Sequence, residues 1–226
     1  MTQLDVAGVP RSAVESVAGP IDDAAWDRLV RYAALLRQDA RRLSLISKRA
    51  ESEVGYHVLD SAALLGALRG DSGADCPGEL ADLGTGGGLP GLVVAVLRER
   101  TRVTLVDSRN SKVVFLKRAV RELGLGNVEI EHARLEALAG NRRFDLAVSR
   151  ALGSLRETLL PSLRLLGGSG RLVLFKGPGW QGEQDEATRI ASGVGCEMGW
   201  LRRMELPGLG RETWFVEFHV KPCKEE

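Results

Sequence analysis

Five short apolar segments, ELADLG (79–84), RVTLVD (102–107), VEIEHA (128–133), FDLAVSR (144–150) and GRLVLFK (170–176), are separated by runs of helical character at 90–99, 110–123 and 154–166. Strand and helix repeated in this way leave few topologies, because parallel neighbours need a covering crossover and crossovers are right-handed. The chain is therefore expected to form a doubly wound α/β fold, a parallel sheet with helices on both faces. Its tail breaks the alternation. CEMGWLRRMEL and ETWFVEFHV, joined through PGLGR, read as an antiparallel hairpin and bring the expected sheet to seven strands, most of them parallel.

Two helical stretches precede the sheet. In IDDAAWDRLVRYAALLRQDA, Trp26, Leu29, Val30, Ala33 and Leu36 recur at helical spacing behind Asp22 and Asp23, which can cap the start. In ESEVGYHVLDSAALLGALRG, Val58, Leu59, Ala62 and Leu65 form the expected buried stripe, with Gly70 as a stop. Residues 1–20 show no clear periodicity and are read as a loose arm. The expected organisation is an arm (1–20), a helical cap (21–70) and a main α/β domain (71–226), with DSGADCPG as the linker.

Composition narrows the function classes. With 31 basic and 30 acidic residues the net charge is +1, so any nucleic-acid contact must come from local basic surface. Cys76, Cys196 and Cys223 are far apart and lack the close pairs of zinc or redox sites, which fits a reducing compartment. The longest apolar stretch, GLVVAVL, falls far short of a membrane span, and the N-terminus has no signal-type apolar core. A soluble cytoplasmic protein is expected, with no membrane partner.

The turn ADLGTGGGLPG (81–91) lies between the first strand and the following helix, where glycines let the backbone approach a ligand closely. Two readings stand. Gly86-x-Gly88-x-x-Gly91 satisfies the dinucleotide fingerprint, with Asp107 about 20 residues on as a ribose carboxylate. Alternatively, Asp82-x-Gly84-x-Gly86 with Asp107 suits S-adenosylmethionine, which has no pyrophosphate and presents an ammonium and ribose hydroxyls to carboxylates.

The order of DLGTGGGLPG, VTLVDSRNSKVVFLKRAVRELGLGNVEI, ARLEAL, FDLAVSRAL and GRLVLFKG, preceded by YHVLDS, resembles the RsmG or GidB family of small-subunit ribosomal RNA guanine-N7 methyltransferases. The likeness runs from about Leu43 to Lys221. It implies a Rossmann-like class I methyltransferase that uses S-adenosyl-L-methionine and acts on 16S ribosomal RNA or the small ribosomal subunit; the chain is expected to act as a monomer. Asp82 is a cofactor candidate on the S-adenosylmethionine reading above; by the resemblance, Gly84, Gly86 and Leu89 line the cofactor, Asp107 holds the ribose, and Leu135 and Glu136 lie beside the adenine. Arg150 and Lys176 take the catalytic positions, Arg150 also reaching the cofactor, and Arg134, Lys176 and Arg211 meet RNA. Arg42-Leu43-Ser44 departs from the family's Asn-Leu-Thr or Asn-Leu-Ser, and the tail around GRETWFVEF matches loosely; both bear on target recognition.

Guanine N7 carries an in-plane lone pair and no proton, so its methylation needs alignment and desolvation more than a general base. The chain agrees: it lacks the Asn-Pro-Pro-Tyr loop of exocyclic-amine methylation and has no cysteine at an evident nucleophile position. Arg41, Arg42, Lys48 and Arg49 in the cap, Arg109, Lys112, Lys117 and Arg118 after the second strand, and Arg202 and Arg203 in the tail are further phosphate-contact candidates, or simply a solvated face. His57, Asp60 and Ser61 are read as structural, tying the cap to the sheet, and Trp26 and Trp214 as core. A different RNA or a small molecule as substrate, and a catalytically silent ribosome- or RNA-binding protein, are the other readings.

Overall fold

The computed structural model describes residues 5–43, 45, 53–69, 78–138, 142–150 and 155–221. Its strands are β1 (Glu79–Leu83), β2 (Arg102–Asp107), β3 (Val128–His132), β4 (Phe144–Arg150), β5 (Leu166–Lys176), β6 (Cys196–Leu206) and β7 (Arg211–Val220). They form one seven-stranded sheet in the order β3-β2-β1-β4-β5-β7-β6. The first five are parallel, and β7 enters antiparallel between β5 and β6. Central strands β1 and β2 are buried on both faces beyond their first residue, which is why they read as continuous apolar runs.

The helices are α1 (Arg11–Ala18), α2 (Asp23–Leu43), α3 (Val54–Arg69), α4 (Gly91–Leu97), α5 (Asn110–Leu123), α6 (Leu135–Leu138), α7 (Leu155–Leu163) and α8 (Trp180–Ser192). They sort by sheet face. Residues from α1 to α5 share one core with Leu80, Leu105, Val148 and Phe215, whereas Leu159, Leu163, Trp180 and Ala187 of α7 and α8 pack with Ala81, Leu83, Leu174 and Phe218 on the other. Trp26 and Trp214 are buried, one on each side.

Helix α2 begins as expected: the Ala25 N–H donates to Asp22 Oδ1 at 2.7 Å. Helix α3 differs from the one-stripe expectation. Ala63, Leu64, Ala67 and Leu68 are buried along with Val58, Leu59, Ala62 and Leu65, because α3 lies under α1, beside α2 and against the sheet. The expected stop at Gly70 and all of the expected linker but Gly78 lie outside the described residues.

The reading of residues 1–20 as a loose arm is corrected for the stretch 11–18. Val14, Val17 and Ala18 of α1 are buried against α3. A side chain at Gly55 of α3 would lie 2.5 Å from the Ala7 carbonyl, and one at Gly66 would lie 2.5 Å from the Val17 carbonyl, so these glycines let the N-terminal backbone settle onto the helix. Arg98 and Arg69 both donate to the Ala18 carbonyl, the former at 2.7 Å, satisfying the C-terminal end of α1.

Candidate active site

The strand order reverses between β1 and β4, and in open α/β sheets a ligand crevice lies outside the carboxyl ends at that point. The glycine turn leaves β1 there. The N–H groups of Gly84 and Thr85 donate to the Val106 carbonyl at 2.9 and 3.0 Å, and those of Gly88 and Leu89 to the Thr85 carbonyl at 2.9 and 3.1 Å. Gly86 N–H donates to Asp107 Oδ2 at 3.0 Å, and Gly91 N–H to Asp82 Oδ2 at 2.7 Å. Pro90 has no N–H to offer. The N–H groups of Gly84, Thr85, Gly86, Gly88, Leu89 and Gly91 are thus engaged within the protein, and the Asp82 carboxylate occupies the helix N-terminus where a pyrophosphate would bind. This arrangement disfavours the dinucleotide reading.

Asp82 sits beneath the turn, apart from the open cleft. It is fully buried, accepts a second hydrogen bond from Thr85 Oγ1 at 2.6 Å, and does not line the open cleft. Burial pushes its carboxyl up to about 6, against the opposing pull of Thr85, the Gly91 N–H and Arg150. Its Oδ2 pins the turn to α4 through the Gly91 N–H. Leu89 is likewise buried beneath the turn, and Gly86, at φ +61°, directs its N–H to Asp107.

Gly84, Asp107, Arg134, Leu135 and Glu136 come together. With Arg109 and Lys112 they line a cleft of about 510 Å³ between the ends of β1, β2 and β3. Asp107 is held from two sides: Oδ2 accepts from Gly86 N–H at 3.0 Å and Oδ1 from Arg109 N–H at 2.9 Å. A carboxylate offers about four lone-pair positions, so roughly two stay available to a vicinal diol. The residues present thus fit the ribose of S-adenosylmethionine, with Leu135 offering apolar surface beside it.

Arg150 and Lys176 stand apart from this cleft. Arg150 ends β4, with its side chain turned onto α3: Nε lies 3.3 Å from Asp60 Oδ2, Nη1 donates to Ser61 Oγ at 3.2 Å and to the His57 carbonyl at 3.3 Å, and Nη2 meets His57 Nδ1. Asp60 and Ser61 thereby tie the helical segment to the sheet. Burial, with Arg150 beside it, brings the His57 imidazole down to about 4, so it is neutral at physiological pH. Lys176 is held by Glu183 at 2.6 Å over the Trp180 ring, which anchors α8 to β5. Arg211 pairs with Glu53 at 2.7 Å and lies over Tyr56.

Most of the other basic candidates are also engaged by protein groups. Arg42 and Arg118 converge on buried Asp39 at 2.7 and 2.9 Å, Arg202 donates to the Ala67 carbonyl, and Arg203 stacks on Trp214. Lys48 and Arg49 lie outside the described residues. Arg109 and Arg134 are exposed at the cleft. Lys112 also turns inward, toward Asp107. Its place in the first turn of α5, directly after the β2 carboxylate, was the available signal.

A larger crevice of about 800 Å³ opens at the opposite end of the strands, between Ala18–Asp22 and Arg98–Thr101, far from the glycine turn. Among the described residues no group of three or more His, Cys, Asp or Glu side chains is placed to hold a metal ion, and no helix is long and apolar enough to cross a membrane.

Comparison with known proteins finds relatives in sequence and in fold. The family model for GidB, rRNA small subunit methyltransferase G, matches residues 26–197. Ribosomal RNA small subunit methyltransferase G from Hydrogenovibrio crunogenus is 33% identical over 215 residues, covering 95% of this chain and 93% of that protein. Its counterpart in Chromobacterium violaceum is 37% identical over 189 residues, covering 83% and 85%. In fold, the chain resembles magnesium protoporphyrin IX methyltransferase from Synechocystis PCC 6803, solved with bound SAM, at a TM-score of 0.60 and 14% identity over 89% of this chain and 99% of that one. On these sequence matches, the chain belongs to the GidB family, rRNA small subunit methyltransferase G.

Proposed function

We propose that this chain transfers a methyl group from S-adenosylmethionine to N7 of a guanine in 16S ribosomal RNA, acting as a cytoplasmic monomer. Family membership supports the reaction and the substrate class. The structural observation that carries the cofactor assignment is the pairing of Asp82, which closes the helix N-terminus to phosphate, with Asp107, which keeps acceptor positions open to a ribose.

When bound, S-adenosylmethionine supplies an electrophilic methyl on a sulfonium; the N7 lone pair forms the new N–C bond as the C–S bond breaks. Asp107 would hold the ribose and Leu135 and Glu136 would flank the adenine, all three lining the cleft with Gly84. No residue has to remove a proton, so the task of the protein is to hold the two atoms in line and keep water out.

In this reading Arg150 acts by positioning: its bonds to Asp60, Ser61 and His57 fix α3 against the end of β4, beside the turn. Lys176 does the same for α8. Arg134, exposed at the rim of the cleft, is the first choice for an RNA phosphate, followed by Arg211.

Mapping N7-methylguanine in small-subunit rRNA from cells with and without the gene tests the proposal. One guanine is expected to lose its N7-methyl mark in the deletion strain and regain it on complementation; an identical methylation map in both strains contradicts the assignment.

A further inference from the structure

Lys112 was a candidate for the RNA-facing surface, yet its side chain is 15% exposed and its ammonium lies 3.9 Å from Asp107 Oδ2, on the wall of the cofactor cleft. That separation suits an ion pair but is too long for a hydrogen bond. It is also short enough for one hydroxyl oxygen to sit about 2.8 Å from both groups, accepting from the ammonium while donating to the carboxylate. Asp107 is already fixed from the protein side by the Gly86 and Arg109 N–H groups, so it cannot swing away to meet Lys112 without breaking them.

We propose that Lys112 and Asp107 form a two-point clamp in which a cofactor ribose hydroxyl bridges the ammonium and the carboxylate, making Lys112 a binding residue for the ribose. The inference rests on the S-adenosylmethionine reading above. It differs from that reading in assigning part of the ribose recognition to a cation that neither the dinucleotide nor the methyltransferase pattern singles out.

The environment gives the clamp a pH dependence. Burial lowers the Lys112 pKa; Asp107 on β2 opposes that shift and Arg109 at the start of α5 reinforces it. Glu136 of α6 and Glu157 of α7 line the same cleft. As pH rises through the lowered value the ammonium becomes a neutral amine, its attraction for Asp107 is lost, and ribose binding weakens.

The test is calorimetric titration of S-adenosylhomocysteine and its 2′,3′-dideoxyribose analogue into the wild type, Lys112→Met and Lys112→Arg. Lys112→Met is expected to bind S-adenosylhomocysteine at least tenfold more weakly, a change of the size of one charge-assisted hydrogen bond. The dideoxy analogue should bind wild type and Lys112→Met alike, within about twofold on the same scale. Lys112→Arg should recover most of the affinity and hold it at alkaline pH, where the wild type loses it. Equal weakening of both ligands in Lys112→Met, or unchanged affinity for S-adenosylhomocysteine, would overturn the clamp while leaving the cofactor assignment intact. Failure of the wild type to bind S-adenosylhomocysteine would overturn both. Thermal melting of each ligand-free variant separates a binding defect from a folding one.

Discussion

Gly91→Ala is expected to destabilise the protein by about 1–3 kcal/mol and to weaken cofactor binding, although helix propensity alone favours the opposite sign by about 1 kcal/mol. Gly91 is the first residue of α4, where alanine is ordinarily the better helix former. Here an added Cβ would stand 2.3 Å from Leu105 Cδ2, 2.8 Å from Asp82 Oδ2 and 3.0 Å from Asp82 Cβ. Leu105 is fully buried in the sheet, and Asp82 is held by Thr85, so neither neighbour can retreat cheaply. The clash falls on the bond that joins the turn to the helix. Chemical denaturation decides the matter: an unchanged or raised midpoint would mean that the turn is not built on the Asp82 cap.

Arg150→Met is expected to cost about 3–5 kcal/mol of stability, because it strands Asp60 as an unpaired acid in a buried site. Asp60 is 4% exposed, and burial raises its pKa while Arg150 pulls it down. Removing the guanidinium also takes donors from Ser61 and His57. A double variant, Arg150→Met with Asp60→Leu, should regain a large part of the loss, since replacing a buried pair by apolar groups is often near neutral. Denaturation midpoints of the two proteins check this. A single variant as stable as the wild type, with turnover abolished, would instead return Arg150 to a direct part in catalysis.

Much of the fold was legible because its signals are local. The runs ending in Asp82-Leu83 and Asp107 are apolar enough to declare buried parallel strands, and the spacing of Trp26, Leu29, Ala33 and Leu36 declares α2 over several turns. Helix α1 was missed because eight residues give too few turns for periodicity to appear, and its burial depends on Gly55 and Gly66 far along the chain. Helix α8 was not anticipated either: Trp180, Ala187 and Ala191 are its buried residues, too sparse a stripe to stand out.

The site was legible in its membership more than in its roles. Gly84 follows β1, Asp107 ends β2, and Leu135 and Glu136 open α6 just after β3, so topology alone brings them together. The role of Asp82 depends on how the turn folds back to present the Gly91 N–H, and that of Arg150 on a contact with His57 at 93 residues' separation. Neither is encoded in spacing. Lys112 shows the same limit from the other side: a basic residue in a charged helix reads as solvated surface until the helix is docked.

The account turns on the cleft beside Asp107 being a ribose site without a phosphate cradle. Parallel titration of S-adenosylhomocysteine and NAD into the wild type and Asp107→Ala tests this directly. The account predicts saturable binding of S-adenosylhomocysteine to the wild type, no detectable binding of NAD, and about 10- to 100-fold weaker S-adenosylhomocysteine binding in Asp107→Ala, the worth of one hydrogen-bonded charge. Preferential binding of NAD, or S-adenosylhomocysteine affinity untouched by loss of the Asp107 carboxylate, would contradict it.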